Sequence, residues 1–233
     1  MLELTEHVLT IRFVELLCCS NKAKEHMLIS KKRRFIFIHI YKNAGSSVTR
    51  ALSPYVTNRW HYLANRILRK LNILPKSDKH AFPQCIKATE LIEAIGKDEF
   101  DSYFSFAIVR NPWDWQVSLY KFMLKDTTHP QHEMVKNFRN FDEYIKWRCA
   151  EEVRFQKDFI YSADGKLLVD FVGRYERLDE DFATICSRIG VSASLPKLNV
   201  SNTEPYRNFY NEETKDLVRR TFDTDITLFG YDF

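Results

Sequence analysis

Lys42, Gly45, Ser46 and Ser47 crowd into one short stretch, and side chains of those types at that spacing can hold an anion. The lysine supplies a point charge and the serines supply hydroxyl donors. The glycine lets backbone N–H groups close on a ligand. The chemistry implied is that of a phosphate-type or sulfate-type cradle. Arg110 is a second candidate, because its planar fork of donors matches phosphate oxygens. Ser118 follows it in the next helical stretch and adds another hydroxyl.

The elements that position these residues can be read from their neighbours. Phe35-Ile-Phe-Ile-His-Ile40 is an apolar, β-rich run and predicts a buried strand over 35–40. It empties into Tyr41-Lys-Asn-Ala-Gly-Ser-Ser47. Val48, Ala51 and Leu52 then begin a helical pattern, so a helix is expected over 45–53. Strand, small-residue loop and helix together aim backbone N–H groups and a helix N-terminus at an anion. Tyr103-Phe-Ser-Phe-Ala-Ile-Val109 reads as a second buried strand. Asn111-Pro112 starts a helix over 112–125, along which Trp113, Val117, Tyr120 and Leu124 keep helical spacing. Arg110 stands where the strand passes into loop, and Ser118 lies about two turns into the helix.

The first loop is not a nucleoside-triphosphate loop. That pattern places lysine after the glycines, whereas Lys42 precedes Gly45. The stretch Phe37-Ile-His-Ile-Tyr-Lys-Asn-Ala-Gly-Ser-Ser47 instead resembles the 5′-phosphosulfate loop of PAPS-dependent sulfotransferases, the carbohydrate (type 2) family above all. Those read F-I-H-I-P-K-x-A-G-[ST]-[ST]. Tyr41 departs from the pattern, standing where the family has proline. It either loosens the loop entry or puts a ring near the nucleotide. Arg110, Pro112 and Ser118 match the family's R-x-P-x-x-x-x-x-S arrangement. Leu168–Leu178, Leu195–Ser201 and Leu228–Phe233 look like later family blocks, so the likeness spans about residues 33–233.

The resemblance implies sulfuryl transfer from PAPS to a hydroxyl of a carbohydrate, glycolipid or other metabolite, with release of PAP. It implies that Lys42 stabilises the leaving phosphate oxygen and that backbone N–H groups over Asn43, Ala44, Gly45, Ser46 and Ser47 hold the 5′-phosphate. Arg110 and Ser118 would fix the 3′-phosphate. No metal is required. Relatives often carry a histidine followed by a small residue after the first unit, and that place is taken by His80 in Ser77-Asp-Lys-His-Ala81. His80 is therefore the candidate general base, with His61 in reserve. His39, inside the first strand, is expected to be structural. Trp115 replaces a basic residue common among relatives, which leaves the acceptor open. Two alternatives remain at this point: a nucleotide- or sugar-kinase-like phosphotransferase, and a non-catalytic PAP or PAPS binder.

The whole chain fits an α/β domain. Its 233 residues, 45% hydrophobic and 14% aromatic, suffice for a sizeable core. Strands alternating with helices imply a mainly parallel sheet flanked by helices, with ligands beyond the carboxyl ends of the strands. The net charge of +4 suits an anionic cofactor but is too small to argue for nucleic acid. The run Lys31-Lys-Arg-Arg34 reads as a solvated face, with a phosphate-facing surface as the alternative. Five cysteines without C-x-x-C spacing argue against zinc and fit a reducing compartment. No run approaches the ~20 apolar residues of a membrane span, and a soluble, cytoplasmic member is expected. Residues 1–26 read as an appendage to a sulfotransferase domain over 27–233.

Further along, Thr89 is expected to cap a helix that Gly96 stops, and 126–140 to be a polar loop. Asp142 should cap a helix through Trp147. Asp164-Gly165 signals a hairpin. Leu178, Phe182, Ile185 and Ile189 predict a helix ending at Gly190. Asn211 opens a last helix towards Arg219-Arg220.

Overall fold

Among the described residues four strands form one sheet, in the order β1 (Leu28–Ser30), β2 (Phe35–Ile38), β3 (Phe104–Val109) and β4 (Phe171–Arg174). The computed structural model describes residues 28–56, 85–196 and 204–233. β1 is antiparallel to β2, while β2, β3 and β4 run parallel. In chain order the helices are α1 (Gly45–Val56), α2 (Ala88–Ile95), α3 (Lys97–Asp101), α4 (Pro112–Lys125), α5 (His132–Lys136), α6 (Phe141–Glu151), α7 (Leu178–Ile189), α8 (Glu212–Thr221) and α9 (Asp223–Phe229). This is the expected α/β class with a mainly parallel sheet.

The described residues divide into two compact units. One holds the sheet with α1, α2, α3 and α7. Its core is built from strand residues of alternate parity, Phe35 and Phe37 from β2 with Phe106 and Ile108 from β3. Val48 and Leu52 of α1 and Phe182, Ile185 and Ile189 of α7 close over them. The Phe37 and Phe106 rings stack with centroids 5.1 Å apart. Ile36, Ile38, Ala107 and Val109, of the opposite parity, are buried too. Burial on both faces is what near-continuous apolar strands require. Because β2, β3 and β4 are parallel, their carboxyl ends emerge along one sheet edge, and the loops after them share it.

α7 shows why some elements were legible in advance. Its apolar stripe faces the core, and Gly190 caps it in the left-handed region at φ 64°. Asp181, in its first turn, accepts a hydrogen bond from the Arg174 N–H at 2.6 Å and so ties the helix to β4. The hairpin at Asp164-Gly165 is reduced to a single antiparallel bridge between Tyr161 and Leu167. The chain then leaves it, because the Asp170 carboxylate accepts from both Ser105 N (2.7 Å) and Ser105 Oγ (2.9 Å). That anchor delivers the next residues to β3 as a parallel strand.

The other unit is helical, with α4, α5, α6, α8 and α9. Trp113, Trp115, Val117, Leu119 and Met123 of α4 are buried. Phe141 of α6 meets Tyr120 and Tyr210 edge-on at 5.2 and 5.0 Å. The expected loop over 126–140 contains α5 instead. His129 and His132 are buried, and the His132 Nδ1 lies 2.8 Å from the Met123 carbonyl. A polar stretch suggests a loop, but imidazoles with partners can line a core. The α6 cap is Asn140 rather than Asp142, its side chain accepting from Glu143 N at 3.1 Å. At α2 it is Glu90, not Thr89, that reaches back to an end amide, on Lys87. Asn211 caps α8 as expected, accepting from Thr214 N at 2.8 Å.

Candidate functional site

β2 ends at Ile38, and the loop after it is held tightly in place. Tyr41 is buried, and its ring meets Phe159 edge-on with centroids 6.0 Å apart. The ring thus packs into the sheet unit and anchors the loop entry. Lys42 and Ala44 both adopt positive φ, 64° and 59°. Non-glycine residues enter that region at a cost of about 1–2 kcal/mol each. Left-handed residues interleaved with ordinary ones turn successive N–H groups towards one concavity, which suits an anion.

Asn43, between them, offsets that cost. It is fully buried, and its Nδ2 donates to the Ile108 carbonyl at 2.9 Å and to Gln156 Oε1 at 2.7 Å. Gly45 then opens α1. A Cβ there would fall 1.7 Å from His39 Nε2, so no side chain fits. The Val48 N–H closes the first helical turn on the Ala44 carbonyl at 3.0 Å. The Ser47 N–H meets the same carbonyl at 3.0 Å, so its hydroxyl is the group Ser47 offers outward. Lys42 and Ser47 are partly buried and Ser46 is exposed.

His39 lies beneath this loop. Burial, and then the nearby Lys42 charge, lower its pKa from 6.5 to about 4. The imidazole is therefore neutral at physiological pH, and its Nδ1 lies 3.8 Å from Cys85 Sγ. A neutral ring against Gly45 is the structural role expected of it.

The loop after β3 joins the loop after β2. Arg110 Nη1 donates to the Lys42 carbonyl at 3.0 Å, and its guanidinium sits 3.9 Å over the Tyr175 ring. Gln156 brackets the Arg110 backbone: Oε1 accepts from its N–H at 2.9 Å and Nε2 donates to its carbonyl at 2.8 Å. Asn111 N–H donates to Glu176 at 2.6 Å, just beyond β4. Lys42, Asn43, Ala44, Gly45, Ser46, Ser47 and Arg110 thus converge at the carboxyl edge of one sheet. Ser118 is partly buried on α4 in the helical unit. Trp115 is fully buried and meets Phe222 edge-on at 6.5 Å. His80 and His61 lie outside the described residues. Gln156, Tyr175 and Glu176 were not anticipated as site residues. Gln156 stands in no motif, Tyr175 and Glu176 fall in the Leu168–Leu178 block to which no site role was attached, and the parallel register of β4 brings these two here.

Comparison with known proteins assigns the chain to a family. The model of the sulfotransferase family matches residues 25–232, nearly the whole chain. The protein belongs to the sulfotransferase family. An uncharacterized protein of Archaeoglobus fulgidus is 32% identical over 117 residues, which cover 48% of this chain and 90% of that relative. Among solved structures, mouse sulfotransferase SULT7A1 complexed with PAP is 12% identical. That match covers 87% of this chain and 90% of the other, with a TM-score of 0.49.

Proposed function

We propose that this protein is a PAPS-dependent sulfotransferase. It would move a sulfuryl group from PAPS to a hydroxyl of a carbohydrate, glycolipid or other metabolite and release PAP. The observation that carries this reading is the bond from Arg110 to the Lys42 carbonyl, which joins two anion-type motifs 68 residues apart. The residues fit a ligand with two separated phosphates. One donor cluster is a loop of backbone amides, a lysine and two hydroxyls, and the other is a guanidinium whose backbone is fixed on both sides.

PAPS supplies the activated sulfuryl group. The amides over Asn43–Ser46 and the hydroxyls of Ser46 and Ser47 hold the 5′-phosphate end, and Arg110 with Ser118 holds the 3′-phosphate. Lys42 offsets negative charge that grows on the leaving oxygen, so its contribution is larger in the transition state than in the ground state. His80 takes the proton of the acceptor hydroxyl, a role worth roughly 100- to 10,000-fold. No step calls for a metal ion. Five cysteines without C-x-x-C spacing suit a reducing compartment, which makes the cytoplasm the proposed location. Among the described residues no helix is long and apolar enough to cross a membrane.

The test is incubation with labelled PAPS and a panel of glycans, glycolipids and phenols, read by mass spectrometry. A sulfated product formed in the presence of EDTA is expected, and strict metal dependence would point to phosphotransfer instead. Lys42→Ala should lower kcat far more than it weakens PAP binding. His80→Ala should lose roughly 100-fold or more in turnover and still bind PAP. Loss of turnover in His61→Ala alone would move the base to position 61.

A further inference from the structure

Gln156 lies outside both motifs, yet its side chain bonds to each of them. It is fully buried. Its Oε1 accepts from Asn43 Nδ2 at 2.7 Å and from the Arg110 N–H at 2.9 Å, and its Nε2 donates to the Arg110 carbonyl at 2.8 Å. The orientation of both amides follows from the backbone. The Ile108 carbonyl can only accept, so Asn43 must present its NH2 group there. The same NH2 group faces Gln156, which must therefore present oxygen. The Arg110 N–H requires that oxygen too, and the Arg110 carbonyl requires the Gln156 NH2 group. No flipped arrangement satisfies all four contacts.

Two consequences follow from this geometry. Asn43 is the residue between the two left-handed positions of the first loop, so Gln156 helps hold that loop in its strained form. Arg110 has its N–H and carbonyl fixed together, which sets the direction in which its side chain leaves the chain. We infer that Gln156 is a positioning residue that couples the two phosphate-binding elements and sets the preference for a 3′-phosphorylated nucleotide, acting through Arg110. The inference rests on the sulfotransferase reading above.

The test compares wild type, Gln156→Ala, Gln156→Glu, Arg110→Ala and the Gln156→Ala/Arg110→Ala double variant. Gln156→Glu keeps the volume and replaces the donor facing the Arg110 carbonyl with an acceptor. The dissociation constants of PAP and ADP are measured by calorimetry at 25 °C. Both Gln156 variants should lose about tenfold or more of the PAP-over-ADP ratio. The double variant should lose little beyond Arg110→Ala, because effects through a shared partner do not add. A purely structural role would lower the melting temperature and leave the ratio unchanged, and that result would overturn the inference. So would failure of both Gln156 variants to fold, which would assign the residue to core stability.

A wild type that does not prefer PAP defeats the sulfotransferase reading and the nucleotide preference with it, and leaves the coupling of the two loops to be tested by itself. Hydrogen exchange in the ligand-free protein then decides. Faster exchange over both 42–47 and 110–111 in Gln156→Glu supports the coupling. Unchanged exchange at either loop contradicts it.

Discussion

An alanine at position 45 would bring its Cβ to 1.7 Å from His39 Nε2. The ring is buried beneath the loop. Gly45→Ala should therefore destabilise the protein by about 1–3 kcal/mol, the usual range for forced overpacking. His39→Ala in the same chain should recover part of that loss, since the methyl group then enters the space left by the ring. Denaturant melts of the two single variants and the double variant check this, and strictly additive effects would contradict the contact. His39 also predicts a pH dependence. Between pH 6.5 and about 4 the unfolded chain binds a proton on this imidazole that the folded chain does not. Stability from this group is full above pH 6.5 and is lost as pH falls towards 4, by about 3 kcal/mol at most. His39→Gln should flatten that part of the stability profile. An unchanged profile would show that the ring is not held neutral.

At the scale of elements, the helices that were legible carry both an apolar stripe and an end signal. α7 has its stripe, three acidic residues in its first turn and Gly190 behind it. α8 has Asn211 in a capping box with Thr214. Asn211→Ala should cost about 1 kcal/mol, and Ile185→Ala on α7 about 2–5 kcal/mol, both read as shifts in denaturant midpoint. A larger loss at the cap than at the core position would contradict this ordering. Less legible were elements whose form depends on distant partners. The turn at Asp164-Gly165 gave a strong local hairpin signal, but β3 offered the following residues a longer parallel partner. α5 was hidden because buried histidines look polar in a sequence. The candidate site divides along the same line. Lys42, Gly45 and Arg110 could be picked out from local pattern, whereas Gln156 reaches Asn43 across 113 positions and leaves no trace in either motif.

For the whole molecule, the family match begins at residue 25 and runs almost to the end of the chain. A protein lacking residues 1–26 should therefore fold and bind PAP. Insoluble or non-binding material would show that the segment contributes to the core. PAP should raise the melting temperature, because a ligand that binds only the folded state stabilises it by mass action.

The most direct measurement is a calorimetric titration of PAP and of ADP into the wild-type protein at 25 °C. A site that spends a guanidinium on the 3′-phosphate should bind PAP about tenfold or more tighter than ADP, a difference of at least about 1.4 kcal/mol. Arg110→Ala should erase that difference. Equal affinity for the two nucleotides in the wild type, or no binding of PAP at all, would contradict the assignment of this site to PAPS.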